Sequence, residues 1–260
     1  FGLKGKVALI GGASKGLGKA CAVRLGQEGA IVAICARQQG FLEETVQQLE
    51  KMNVSVLPFI ADMASKEDNE RVVNETLKKF GRIDILVNNS GGPTPGTFYD
   101  FNDSDWEKAF HSVLMYVVRL NRLVIPHMKK NQWGRIINIA SLSVKEPAET
   151  LILSNVFRSG VVSMAKTMSQ ELIKHNITIN NVCPGAFKTD RVIELMTKAA
   201  KANKTTVDTV EADFIKSLPQ GRFQDPKELG DFVAFLASEL AGGMTGTTIQ
   251  LDGGMLKGLL

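Results

Sequence analysis

Residues 6–18, KVALIGGASKGLG, constrain this chain more than any other stretch. Val7, Ala8, Leu9 and Ile10 form an unbroken apolar run, the pattern of a strand buried on both faces of a parallel sheet. Gly11 and Gly12 end the run. Gly16 and Gly18 open a helix over residues 17–28, with Leu17, Ala20, Cys21 and Leu25 on one stripe. Strand, glycine loop and helix in immediate succession present bare backbone N–H groups and a positive helix end to an anion. Three residues separate Gly12 from Gly16, so the loop is longer than the usual G-x-G-x-x-G fingerprint. An ordinary strand-to-helix turn can carry such glycines; the strand before and the helix after them favour phosphate binding.

The rest of the chain repeats this alternation. Residues 30–36, 55–62, 83–89, 134–141, 177–183 and 247–252 read as six further strands. Between them lie a helix with Leu42, Val46 and Leu49 inward, a charged helix over 66–79, and a long helix over 103–130 capped by Asp103 or Ser104. A second long helix covers 151–175, and a last one is capped by Asp225 with Pro226 at its first position. Residues 186–220 are more polar and read as one or two short helices. Strands separated by helices throughout imply parallel βαβ units and right-handed crossovers. The expected fold is α/β: a doubly wound, Rossmann-type three-layer sandwich on a seven-stranded parallel sheet, one domain over 1–260.

A chain of 260 residues with 44% apolar and 22% charged residues can bury a sizeable core. Its net charge of +4 is not gathered into a basic tract, so no nucleic-acid partner is expected. Cys21, Cys35 and Cys183 lie in apolar patterns and read as buried thiols of a reducing compartment. His111, His127 and His175 lack metal-ligand spacing, so no metal is expected. No apolar run is long enough for a membrane span and the first residues are not a signal peptide. The expectation is a soluble, cytoplasmic protein.

Several motifs, taken in order, resemble those of the short-chain dehydrogenase/reductase family over essentially the whole chain. Gly12, Gly16 and Gly18 match its phosphate loop, with Gly11 where the family usually carries threonine. Asp62 matches its adenine-contacting acid. Asn88, Asn89, Ser90 and Gly91 match its N-N-A-G segment, with serine for alanine. Pro184, Gly185 and Thr189 match its P-G-x-x-x-T segment, and GTTIQLDGG at 246–254 is also family-like. The nearest type is the bacterial 3-oxoacyl-(acyl carrier protein) reductase. The resemblance implies a cofactor site at Gly12, Ser14, Lys15, Gly16, Leu17, Gly18, Arg37, Asp62, Met63, Asn88, Ser90, Gly91, Arg158, Pro184, Gly185 and Thr189. It implies a lid around 186–220, and a homotetramer or homodimer paired through the two long helices. Leu114, Val117, Val118, Leu151, Ile152 and Val156 would supply the apolar surface of that pairing.

An NAD-specific site places an acid at the end of the second strand. Here that position is Ala36, followed by Arg37, with Lys15 in the glycine loop. Read as partners of a 2′-phosphate, the two cations favour NADP over NAD; otherwise they are solvated surface charges.

The resemblance breaks at the chemistry. The family uses a Tyr-x-x-x-Lys pair, an upstream serine and an asparagine in the preceding long helix. GRIINIAS fixes the serine at Ser141, and RSGVVSMAKTMSQEL puts Arg158 in the lysine position. The tyrosine position then holds Ser154 and the asparagine position Val113. A phenol has a pKa of about 10 and comes within reach of neutrality beside a cation, whereas an alkyl hydroxyl is a far weaker acid. Arg158 can still hold a ribose. Other proton donors are Tyr116, one helical turn from Val113, and Tyr99 after the GGPTPGTF loop; both are more often packed or surface residues. Lys145 and Glu146 read as loop charges, and Cys183 as a strand-end core residue.

The sequence is thus similar to a divergent branch of the family that lacks the Tyr-x-x-x-Lys pair. Two readings follow. One is an NADP-dependent oxidoreductase acting on a small carbonyl or hydroxyl substrate, free or acyl-carrier-linked, through a non-standard site at Ser141, Ser154 and Arg158. The other is a catalytically inactive nucleotide-binding homologue that serves as a sensor or partner subunit.

Overall fold

Strands β1 (Val7–Ile10), β2 (Ile31–Ala36), β3 (Val56–Ile60), β4 (Ile85–Asn88), β5 (Gly134–Ile139), β6 (Ile177–Pro184) and β7 (Thr248–Leu251) form one parallel sheet in a computed structural model describing residues 1–259. Their order is β3-β2-β1-β4-β5-β6-β7. The order reverses between β1 and β4, and the crevice at the carboxyl ends of those strands is where such sheets bind ligands.

Each strand feeds two cores, because successive side chains leave opposite faces. Ala8, Ile10, Ile34 and Val87 pack on one side with Cys21, Leu25, Leu229 and Val233. The last four come from α1 (Gly16–Gln27) and α9 (Pro226–Ala237). Leu9, Ala33, Leu86 and Ile136 pack on the other side with Val72, Leu120, Val124 and Val161. These belong to α3 (Lys66–Phe80), α5 (Tyr116–Asn131) and α6 (Ile152–Leu172). Helix α2 (Gln39–Lys51) covers the first core with Leu42 and Leu49. Cys21, Cys35 and Cys183 are all buried and unpaired.

Three expectations change. The helix read over 103–130 is broken into α4 (Asp103–Ala109), a widened π turn over Phe110–Met115, and α5; its cap is Asn102, in a capping box with Asp105, not Asp103 or Ser104. The strand read over 55–62 stops at Ile60, because the Asp62 N–H turns away to the Asp68 carboxylate at 2.8 Å. Of the apolar residues assigned to subunit pairing, Val117 is only 1% exposed and belongs to the core, whereas Val156 is 45% exposed. Residues 186–220 do hold two helices, α7 (Asp190–Ala202) and α8 (Val207–Ser217). They close over a small apolar cluster of Met196, Leu218 and Phe223. No helix among the described residues is long and apolar enough to cross a membrane.

Candidate active site

The first turn of α1, like those of α2 and α6, has no side-chain cap, whereas five other helices are capped. Ser65, Asn102, Thr189, Thr206 and Asp225 cap their own helices with side-chain oxygens. The α1 N-cap, Lys15, makes no such bond and the first turn carries no acid. Its free N–H groups and the helix dipole therefore await an anion. Gly12 and Gly16 have positive φ (55° and 52°), and a Cβ on Gly18 would stand 2.6 Å from Asn89 Nδ2 and 2.8 Å from the Gly12 carbonyl carbon. Asn89 fastens the loop by donating to the carbonyls of Gly11 (3.0 Å) and Gly12 (3.3 Å). The same closeness accounts for Gly11: a Cβ there would meet Asn89 O at 2.5 Å, so threonine does not fit.

A groove of about 260 Å³ runs from this loop along the strand ends. Gly12, Ser14, Arg37, Asp62, Met63, Ser90 and Gly91 line it, as do Ala36 and Ser112. Arg37 is exposed at the end of β2, and no carboxylate stands at Ala36. Lys15 is placed differently from Arg37: its Nζ lies over the Phe41 ring, 3.1 Å from the centroid, and it lines an adjoining cavity with Gly16 and Thr189. Leu17 is part-buried in the first turn of α1. Pro184 ends β6 and Gly185 follows it, its N–H bonding Leu251 O (2.9 Å). Thr189 caps α7, and its methyl group lies 3.4 Å from where a Gly16 Cβ would be. Uncapped helix and crowded glycines fit the pyrophosphate of a dinucleotide.

Asn88 lies beneath the crevice rather than in the groove wall. Its Nδ2 donates to Asn121 Oδ1 (3.2 Å) and Asn138 Oδ1 (2.8 Å). Asn138 donates to Asn181 Oδ1 (2.9 Å), and Asn181 to Thr248 Oγ1 (3.2 Å). Asn88, Asn138 and Asn181 pair in register, so this buried row ties β4, β5, β6 and β7.

At the end of β5 three serines meet. Ser141 Oγ accepts from Ser143 N–H (3.2 Å), and Ser143 Oγ is 3.4 Å from Ser154 Oγ. Arg158, one turn after Ser154 on α6, donates from Nη1 to the carbonyls of Ile139 (2.6 Å) and Ala140 (3.0 Å). Burial lowers its proton affinity; Tyr116 opposes that shift and Arg191 adds to it. Tyr116 is 2% exposed. Burial pushes its phenol above the ordinary value, while the neighbouring Ser90 hydroxyl and the charge of Arg158 pull it back. Val113 is buried in the π turn, and the turn's Ser112 carbonyl accepts from Ser90 Oγ (2.9 Å). The structure therefore brings Ser141, Ser154, Arg158, Ser90 and Tyr116 to one corner. Tyr99 is elsewhere, 92% exposed against Phe98. Burial pushes the Cys183 thiol up to about 11, so it is no thiolate nucleophile near neutrality.

Sequence reading missed Asn89, Ser143 and Arg191. Asn89 stood within the matched motif but had no stated task, and Ser143 follows Ser141 by two in a turn whose direction spacing does not give. Arg191 opens α7 and donates to the carbonyls of Gly92 (3.1 Å) and Pro93 (3.3 Å), a contact across ninety-odd residues that no local pattern announces.

This arrangement defines a class. A short chain dehydrogenase profile matches residues 6–200, and the chain belongs to that family. It is similar to 3-oxoacyl-(acyl-carrier-protein) reductase FabG of Thermotoga maritima, 32% identical over 98% of this chain and 99% of that one. It is also similar to dehydrogenase/reductase SDR family member 4 of Caenorhabditis elegans, 34% identical over 97% and 95%. Among solved structures it resembles L-sorbose reductase of Gluconobacter frateurii, complexed with NADPH and L-sorbose. That likeness has a TM-score of 0.95, with 35% identity over 99% of both chains.

Proposed function

We propose that this chain is an NADP-dependent oxidoreductase that interconverts a carbonyl and a hydroxyl group on a small molecule. The observation that carries the reading is the uncapped α1 N-terminus opening into a groove that ends at Arg37 on one side and Ser112 on the other. The NADPH-bound state of the sorbose reductase relative supports the cofactor, and the name of the FabG relative supports a keto substrate.

When bound, NADPH would supply a hydride. The chain's own residues do the rest. The α1 N–H groups hold the pyrophosphate, Asn89 keeps their loop in shape, and Arg37 takes the 2′-phosphate. Ser141 and Ser154 donate hydrogen bonds to the reacting oxygen. Arg158, a cation that cannot discharge, stabilises negative charge on that oxygen without giving it a proton. The proton then comes from solvent through the serine hydroxyls, a slower route than a phenol at position 154. Helices α7 and α8 act as the lid, and the assembled form is a homodimer or homotetramer through α5 and α6.

Titration calorimetry with NADPH and NADH tests the cofactor, and NADPH consumption with a carbonyl panel tests the reaction. Tight NADPH binding with some carbonyl-dependent oxidation is expected. Equal affinity for the two cofactors sinks the specificity. Binding without turnover of any carbonyl would select the inactive, nucleotide-sensing reading.

A further inference from the structure

The inward stripe of α3 is Asn69, Val72, Val73 and Thr76. Asn69 is the odd member. It is fully buried, and its Oδ1 has no hydrogen-bond partner among the described residues. A buried acceptor without a donor is a net cost, which an apolar side chain at that position would not carry. What the amide gains is one bond: its Nδ2 donates to Met63 O (3.1 Å) and lies 4.0 Å from Met63 Sδ.

Met63 sits in the turn after β3, where Asp62, Met63 and Ala64 all line the cofactor groove. The polar groups of these three residues can be accounted for one by one. Asp62 N–H donates to Asp68 Oδ2 (2.8 Å), and Asp62 O accepts from Ser65 N–H (2.9 Å). Ala64 N–H donates to Asp62 Oδ1 (3.0 Å), and Ala64 O accepts from Arg119 Nη1 of α5 (2.9 Å). Asn69 takes Met63 O. Two groups are left without a partner among the described residues, the Met63 N–H and Asp62 Oδ2. A donor and an acceptor on adjacent residues match a base edge that carries a ring acceptor beside an amino group. Adenine has that edge. Hypoxanthine has its reverse, a ring N–H beside a carbonyl oxygen.

Asp62 is already the expected adenine partner; what fixes its turn is a different set of residues. We propose that Asn69 and Arg119 are positioning residues for the base of the cofactor. They hold the carbonyls of Met63 and Ala64, so that the Met63 N–H and Asp62 Oδ2 form a preset adenine-reading edge. Neither lines the groove, so both act through the turn. A turn ordered in advance spares the base the entropy of ordering it on binding. The cost at Asn69 Oδ1 is offset by that function and not by packing. The inference rests on the dinucleotide reading above and adds the residues that make the site selective for its base.

NADPH and its hypoxanthine analogue, with oxygen in place of the adenine amino group, are titrated calorimetrically into the wild type, Asn69→Leu, Arg119→Gln and Arg119→Lys. The wild type should prefer NADPH at least ~10-fold, the scale of two hydrogen bonds lost together. Asn69→Leu should cut that preference to about 3-fold or less, by weakening NADPH and sparing the analogue. Arg119→Gln should cut it as well, and Arg119→Lys should retain part of it. Arg119 is only part-buried, so its variants keep the test open should Asn69→Leu fold poorly. A merely structural role would weaken both dinucleotides alike; an unchanged ratio in the variants therefore overturns the proposal, as does a wild type that binds both bases equally. A wild type that binds neither dinucleotide would overturn the cofactor reading itself and this proposal with it.

Discussion

On the β1–β4 side of the crevice, each part has its backbone reason: positive-φ glycines, Asn89 clasping the loop, an uncapped helix. On the β5–β6 side the scaffold is the same, but the chemistry-bearing positions hold Ser154, Arg158 and Val113, with Tyr116 and Ser90 drawn in beside them. Nucleotide binding is written into backbone geometry, which leaves little room for change. Proton transfer is written into a few side chains, which can be exchanged while the fold stays. Family-like architecture on one side therefore carries no guarantee for the other.

The two halves are joined by the buried asparagine row, and breaking it should have the largest effect on stability. Asn138→Ala strands Asn181 Oδ1 in the interior and leaves Asn88 Nδ2 with Asn121 Oδ1 as its one remaining acceptor. The loss should be roughly 1–3 kcal/mol, a fall in Tm of about 2–12 °C, read by calorimetry. An unchanged Tm would mean the halves are held together by the backbone ladder and apolar packing without the asparagine row.

Next comes the glycine loop. Gly18→Ala sets a methyl group against Gly12 and Asn89 and should weaken NADPH binding roughly 10–100-fold, the cost of overpacking. Gly40→Ala, on α2 outside the groove and with nothing within 4 Å of its Cβ, should bind as the wild type does. Equal losses in both would show that the loop is not as tightly built as this half of the comparison requires.

Arg37→Ala should cost about 10-fold in NADPH affinity and leave NADH affinity alone, narrowing the preference between the two. A preference that survives the substitution would move the 2′-phosphate to Lys15, once that side chain leaves Phe41.

The smallest effect is on the thiols. Burial pushes Cys21 and Cys35 to about 12 and Cys183 to about 11, so iodoacetamide should label none of them quickly in the folded protein at pH 8. Rapid labelling of Cys183 alone, by mass spectrometry, would reveal a looser chemical half.

Much of the fold was legible because strands buried on both faces read as apolar runs and the helices between them carry stripes. The π turn was not, since one extra residue in a turn leaves the apolar pattern of 103–130 intact. The two long helices carry more apolar residues than one sheet face needs, which assigns Val117 to an interface; only the packing of α5 on the sheet places it inside. Ser141, Ser154 and Arg158 were legible by spacing. Ser90 beside Tyr116, and Arg191 reaching Gly92, were not, because they are contacts between segments far apart in the chain.

The central claim is that the nucleotide half works while the chemical half lacks its acid. The most direct measurement is steady-state NADPH oxidation with neutral ketones, wild type beside Ser154→Tyr with Arg158→Lys. The account predicts a wild type slower than the double variant, with a deficit of up to about 10²–10⁴-fold, the usual contribution of a general acid. A wild type that already reduces neutral ketones at least as fast as the double variant would contradict it, and would make Tyr116 the first residue to replace.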